Sequence, residues 1–154
     1  MNIVDILDRR AVKASLSAKA KPEVLRELLD ALVASGGVEG EPSEVLEGLL
    51  AREELGSTGI GYGVAIPHCK SESVSRLVAA CGRSAEGVAF DALDGKPAHI
   101  FFMLVGPKGS AGAHLKALAR MSRLLKDASF RGVLAEADTD EALYAAIQSA
   151  DAAA

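Results

Sequence analysis

From Pro22 onward, apolar residues fall at Val24, Leu25, Leu28, Leu29, Leu32 and Val33, a spacing of three and four that lines one side of a helix. Pro22 suits a first helical turn, where a missing N–H costs nothing, and Gly36-Gly37 closes the helix. The same logic predicts a second helix from Pro42 through Val45, Leu46, Leu49 and Leu50, ended by Gly56, with Arg52 in its last turns. A longer helix is predicted over Ala111 to Lys126, with Leu115, Leu118, Ala119, Ser122 and Leu125 along one side. Shorter helices follow over Phe130 to Ala137 and Glu141 to Ser149, after which the terminal alanines are expected to fray.

Between the helical stretches the pattern changes. Ala98 to Val105 is apolar at consecutive positions, which predicts an interior strand covered on both faces. Leu77 to Cys81 and Val88-Ala89-Phe90 predict two further strands, with a turn at Asp94-Gly95, and Ala11 to Ser17 is compatible with a first short strand. Ser57 to His68 carries glycine at positions 59, 61 and 63 and reads as a shaped loop. Helices on both sides of a buried sheet give an α/β three-layer sandwich. Residues 1–154 carry no repeat or linker pattern, so one domain is expected, with its core over about residues 5–150.

Composition narrows the class. The chain is 49% hydrophobic and 25% charged, the balance of a globular protein, and its net charge of -4 argues against a broad nucleic-acid surface. Its longest apolar run, Ile100 to Val105, is far short of the ~20 residues of a membrane-spanning helix, so no membrane insertion is expected. The N-terminus lacks the pattern of a secretory signal, and Cys69 and Cys81 read as free thiols, so a cytoplasmic location is expected.

Candidate chemistry centres on His68, which follows Pro67 at the end of the glycine-rich stretch. A neutral imidazole keeps one lone pair and is a usable nucleophile near pH 7. From the residues alone, His68 is either such a nucleophile or an ordinary loop histidine. Arg52 offers a planar cationic fork suited to phosphoryl oxygens, or is a plain exposed arginine favoured by a helix C-terminus. His114 lies near the start of the long helix, where free N–H groups favour anions. Ser57 and Thr58 are further phosphate-binding candidates, though both residue types are routine in turns. His99 reads as a satisfied histidine at a strand entrance and Cys69 as inert packing, with no zinc-type spacing nearby. Lys116, Arg120, Arg123 and Lys126 are read as a solvated helix face rather than a docking patch. The glycines do not complete a Gly-x-Gly-x-x-Gly fingerprint and there is no Gly-Lys-Ser/Thr loop, so no nucleotide, cofactor or metal is implied.

The segment Arg52-Glu53-Glu54-Leu55-Gly56-Ser57-Thr58-Gly59-Ile60-Gly61-Tyr62-Gly63-Val64-Ala65-Ile66-Pro67-His68 resembles the active-site signature of the fructose/mannitol-type EIIA (type-2) domains of the bacterial phosphotransferase system. Within that family it is most similar to the nitrogen-regulatory IIA proteins. Phe90 to Pro97 and His114 to Ala119 extend the resemblance over most of the chain. It implies that His68 accepts a phosphoryl group from a histidine-containing phosphocarrier protein (HPr/NPr type), with Arg52 and His114 lining the same site. Cys69 stands where the family commonly has glycine, and Ala113 where relatives often carry a polar or acidic residue.

Three functions are compatible with this resemblance. The first is a phosphoprotein that regulates target proteins such as sensor kinases or ion transporters according to its phosphorylation state. The second is a sugar-specific IIA component that hands phosphate to a IIB partner. The third is a binding module that has kept the fold but phosphorylates poorly. The absence of an attached IIB or membrane domain in the sequence leans toward regulation.

Overall fold

The apolar run near position 100 becomes β6 (Ala98–Gly106), and the remaining elements are arranged about it. The computed structural model describes residues 1–154. Side chains alternate along a strand, and here the alternation divides one hydrophobic run between two cores. Phe101, Met103 and Val105 join a cluster with Val24, Leu25, Leu28, Val45 and Leu49. Ile100, Phe102 and Leu104 join a second with Met121, Leu125, Leu134, Leu143 and Ile147. The clusters hold 21 and 20 buried residues, so both faces of the sheet are covered.

One helical layer is α1 (Lys21–Ala34) and α2 (Pro42–Glu54); the other is α3 (Ala111–Leu125), α4 (Ala128–Glu136) and α5 (Asp140–Ala153). Pro22 and Pro42 occupy first turns as expected. The six-stranded sheet runs β1 (Leu7–Lys13), β5 (Val78–Val88), β6, β3 (Val64–Ala65), β2 (Gly59–Gly61), with β4 (His68–Lys70) also paired to β6. The β5–β6 and β2–β3 pairs are antiparallel and the others parallel, so the sheet is mixed. This is the predicted α/β three-layer sandwich.

Several elements depart from the sequence expectation. The first strand lies at Leu7–Lys13 rather than Ala11 to Ser17, because exposed Asp8, Arg9 and Arg10 interrupt its apolar signal. Leu77 to Cys81 and Val88 to Phe90 do not give two strands: one strand, β5, continues through the polar residues between them, with an irregularity between Arg83 and Val88. The stretch expected as a loop, Ser57 to His68, holds two short strands, β2 and β3, and ends at the first residue of β4. Tyr62 and Gly63, both with positive φ (59° and 76°), make the two-residue turn joining β2 to β3. The Tyr62 N–H donates to the Asp94 carboxylate at 3.1 Å, which holds this unusual turn.

Helix α3 is rotated from the expected face. It buries His114, Ala117, Met121 and Leu125, while Leu115 is 67% exposed and Ala119 faces solvent. Arg120 is not part of a solvated face either. Its Nε lies 2.8 Å from Asp151 Oδ1, and the other Asp151 oxygen accepts the Val4 N–H at 3.0 Å. This buried ion pair keeps α5 helical to Ala153, so the C-terminal alanines up to that point do not fray.

Asp151→Ala should therefore cost about 3 kcal/mol, since it strands the Arg120 charge. Burial alone would raise the Asp151 pKa, but N–H donation from Val4 and Ile3 and the Arg120 bond outweigh it and lower it. A lowered carboxyl pKa stabilises the fold above the unfolded value of about 3.9, and that contribution is lost as pH falls through the folded value. Urea unfolding of both proteins should show the gap at neutral pH and its narrowing in acid. An equal gap at both would contradict this assignment.

Candidate functional site

The last turn of α2 presents Arg52 and Glu53 on different sides. Arg52 is half-buried, and its Nη1 donates to the Gly56 carbonyl at 2.8 Å, leaving Nε and Nη2 available. Glu53 turns inward, where its carboxylate accepts from the Thr58 N–H at 3.2 Å and from the Thr58 hydroxyl. The Thr58 carbonyl in turn accepts the Ile66 N–H at 3.0 Å, folding the glycine-rich segment back so that Pro67 delivers the chain into β4.

Strand alternation then divides His68, Cys69 and Lys70. Cys69 points into the core on the α1/α2 side, and burial pushes its thiol pKa up to about 12, which leaves it unreactive. His68 and Lys70 lie on the other side of the strand, and all three residues border a groove of about 670 Å3 between the end of α2 and the start of α3. Arg52 and His114 line the same groove, and Leu55 and Leu115 stand beside them, 85% and 67% exposed. His68 and His114, 46 positions apart in the chain (114 - 68), have ring centroids 5.7 Å apart with planes tilted by 58°.

The hydrogen bonds assign the ring protons. His68 Nδ1 is 2.8 Å from the Ile66 carbonyl. A carbonyl only accepts, so Nδ1 carries the hydrogen and Nε2 keeps its lone pair. His114 is 4% exposed, with Nε2 3.2 Å from the Cys69 carbonyl, so its free lone pair is on Nδ1. No fully buried polar side-chain atom lacks a partner, so the unpaired nitrogens, His68 Nε2 and His114 Nδ1, each keep some exposure, and both residues line the groove.

Burial lowers the His68 pKa below 6.5 and the Arg52 charge adds to the shift, against the opposing pull of the Ile66 bond and Glu53. Burial also lowers that of His114, helped by the His68 and Lys70 charges and opposed by the Cys69 bond. Both rings are neutral near pH 7. His114 can approach this closely because position 106 is glycine: a Cβ there would lie 2.8 Å from Ser110 Oγ and 3.0 Å from the His114 ring.

Arg52, His68 and His114 thus converge. Ser57 and Thr58 do not line the groove: the Ser57 hydroxyl donates to the Phe90 carbonyl and that of Thr58 to Glu53, so both shape the loop. His99 lies toward the other end of β6, bonded through Nδ1 to the Ser84 carbonyl at 2.9 Å. Lys70 and Glu53 escaped the sequence reading. A period of two from His68 would have found Lys70, whereas Glu53 looks like any polar residue at a helix end.

A profile of the family described as "Phosphoenolpyruvate-dependent sugar phosphotransferase system, EIIA 2" matches residues 5–150. The nitrogen regulatory protein of Bradyrhizobium diazoefficiens is 35% identical over 147 residues, covering 96% of this chain and 95% of that protein. The fructose-specific EIIABC component of Bacillus subtilis is 38% identical over 151 residues, 98% of this chain but 24% of that much longer protein. The crystal structure of the nitrogen regulatory protein IIA-Ntr from Neisseria meningitidis superposes with a TM-score of 0.85 at 33% identity, covering 93% of this chain and 97% of that one. Similarity of this extent, in sequence and in fold, establishes that the chain belongs to the EIIA type-2 family of the phosphoenolpyruvate-dependent sugar phosphotransferase system.

Proposed function

We propose that this chain is a cytoplasmic phosphocarrier of a nitrogen-regulatory phosphotransferase system, which accepts a phosphoryl group on His68 from a histidine-containing phosphocarrier protein. The observation that carries the reading is the His68 Nδ1–Ile66 bond, which leaves the Nε2 lone pair open to the groove beside Arg52 and His114. In the transfer, that lone pair forms the new N–P bond while the donor's N–P bond breaks and returns its electron pair to the donor ring. Nδ1–H stays where it is, so no proton need move. The free nitrogens of Arg52, with the Lys70 ammonium, face the negative charge on the transferring oxygens. Exposed Leu55 and Leu115 offer an apolar surface for the donor.

Phosphorylation adds nearly two negative charges to a cationic groove, enough to change which proteins bind there. Sensor kinases and ion transporters are the proposed targets. Similarity to nitrogen regulatory proteins over nearly the full length of both chains supports this assignment. The comparable identity to a fructose-specific component favours a second reading, in which the group passes to a IIB partner and then to a sugar. A deletion strain separates the two. Normal growth on phosphotransferase-system sugars with altered nitrogen or potassium responses is expected, and loss of fructose or mannitol uptake restored by this gene would establish transport.

The lowered His68 pKa sets the pH profile. Only the neutral ring has an Nε2 lone pair, so acceptance rises with pH through the folded pKa and is flat above it. The midpoint should fall below 6.5, the ordinary histidine value. Initial acceptance rates across the acid range, paired with an NMR titration of the His68 ring, measure it. A midpoint above 6.5 would contradict the geometry.

A further inference from the structure

A line of polar contacts reaches the His68 ring from the start of α1, outside the groove. Lys21 Nζ lies 3.0 Å from Glu53 Oε1 and 3.3 Å from Asp91 Oδ2, and 4.6 Å from the centre of the Phe90 ring. The Lys21 side chain is 16% exposed and that of Glu53 4%. Beyond Glu53 the contacts continue through the Thr58 N–H and hydroxyl, from the Thr58 carbonyl to the Ile66 N–H, and from the Ile66 carbonyl to His68 Nδ1. Each step crosses a single residue or peptide group, so a shift at Glu53 is passed to the imidazole with little slack.

We propose that Lys21 is a positioning residue for phosphoryl transfer: its ammonium neutralises and anchors the Glu53 carboxylate, which through Thr58 and Ile66 fixes the tautomer and direction of the His68 ring. The proposal rests on the reading of His68 as acceptor. A buried carboxylate that loses its counter-charge takes up a proton or moves toward water. Either change removes an acceptor that Thr58 uses, and the Ile66 carbonyl is then no longer held against Nδ1. Lys21 does not line the groove, so it acts on the presentation of Nε2 and not on docking of the donor.

The test compares wild type, Lys21→Met and Lys21→Arg in the full chain by two readouts. These are the imidazole 15N shifts of His68 in the unphosphorylated protein, and the rate of phosphorylation by the phosphorylated carrier protein. In Lys21→Met the maximal rate should fall about tenfold at unchanged KM, as small misplacements of a reacting atom do. The His68 shifts should move toward a mixture of tautomers, and Lys21→Arg should restore both. Wild-type shifts in Lys21→Met, a rise in KM alone, or an arginine variant as impaired as the methionine one would each overturn the proposal. If Lys21→Met does not fold, Glu53→Gln is read by the same criteria. Should wild type accept no phosphoryl group, the acceptor assignment fails, whereas the 15N shifts still decide whether Lys21 sets the ring.

Discussion

His68→Ala should abolish phosphoryl acceptance while the chain still folds. His68 is half-buried in a three-residue strand, so its removal leaves both cores intact. Neither remaining histidine can substitute. His99 lies near the far end of β6 from the groove, and the free Nδ1 of His114 belongs to a ring only 4% exposed, far less accessible to another protein's phosphohistidine than half-buried His68. Wild type should gain an acid-labile, base-stable label, the signature of an N–P bond, when incubated with phosphoenolpyruvate, the general phosphotransferase-system enzyme and its phosphocarrier. The variant should gain none and keep a wild-type circular dichroism spectrum. A label of undiminished size on folded His68→Ala would place the acceptor elsewhere.

His114→Ala should slow acceptance by about 100-fold, the usual scale for loss of one group that stabilises developing charge, and leave the label on His68. The ring is neutral in the resting protein because burial, with the Lys70 charge nearby, disfavours a proton. An arriving phosphoryl group reverses that balance: its negative charge favours the imidazolium, whose Nδ1–H can then donate to a phosphoryl oxygen while Nε2–H remains on the Cys69 carbonyl. Alanine removes this response, so the phosphorylated form should also hydrolyse at a different rate. Quenched-flow labelling followed by peptide mapping reads both. Unchanged kinetics would reduce His114 to a packing residue over Gly106.

The parts legible in the sequence are those where one local rule acts alone. Pro22 and Pro42 mark helix starts, and the run at Ala98 to Val105 admits only an interior strand. The convergence of Arg52, His68 and His114 was legible through the family resemblance, since no local pattern relates residues so far apart. What was lost depends on tertiary partners. Tyr62 adopts positive φ because Asp94, 32 positions on (94 - 62), receives its N–H. Helix α3 turned because His114 anchors its buried face, although Leu115 is the more apolar neighbour. Arg120 and Glu53 look like surface charges until Asp151 and Lys21 are seen opposite them.

The most direct test of the central claim is the site of modification in the wild-type chain. Phosphorylated by its carrier protein and digested under non-acidic conditions, it should yield one modified peptide containing His68. The 31P shift should be that of an Nε2-phosphohistidine, because Nδ1 is held by Ile66. Phosphate on His114, on Nδ1 of His68, or on no residue at all would contradict the account.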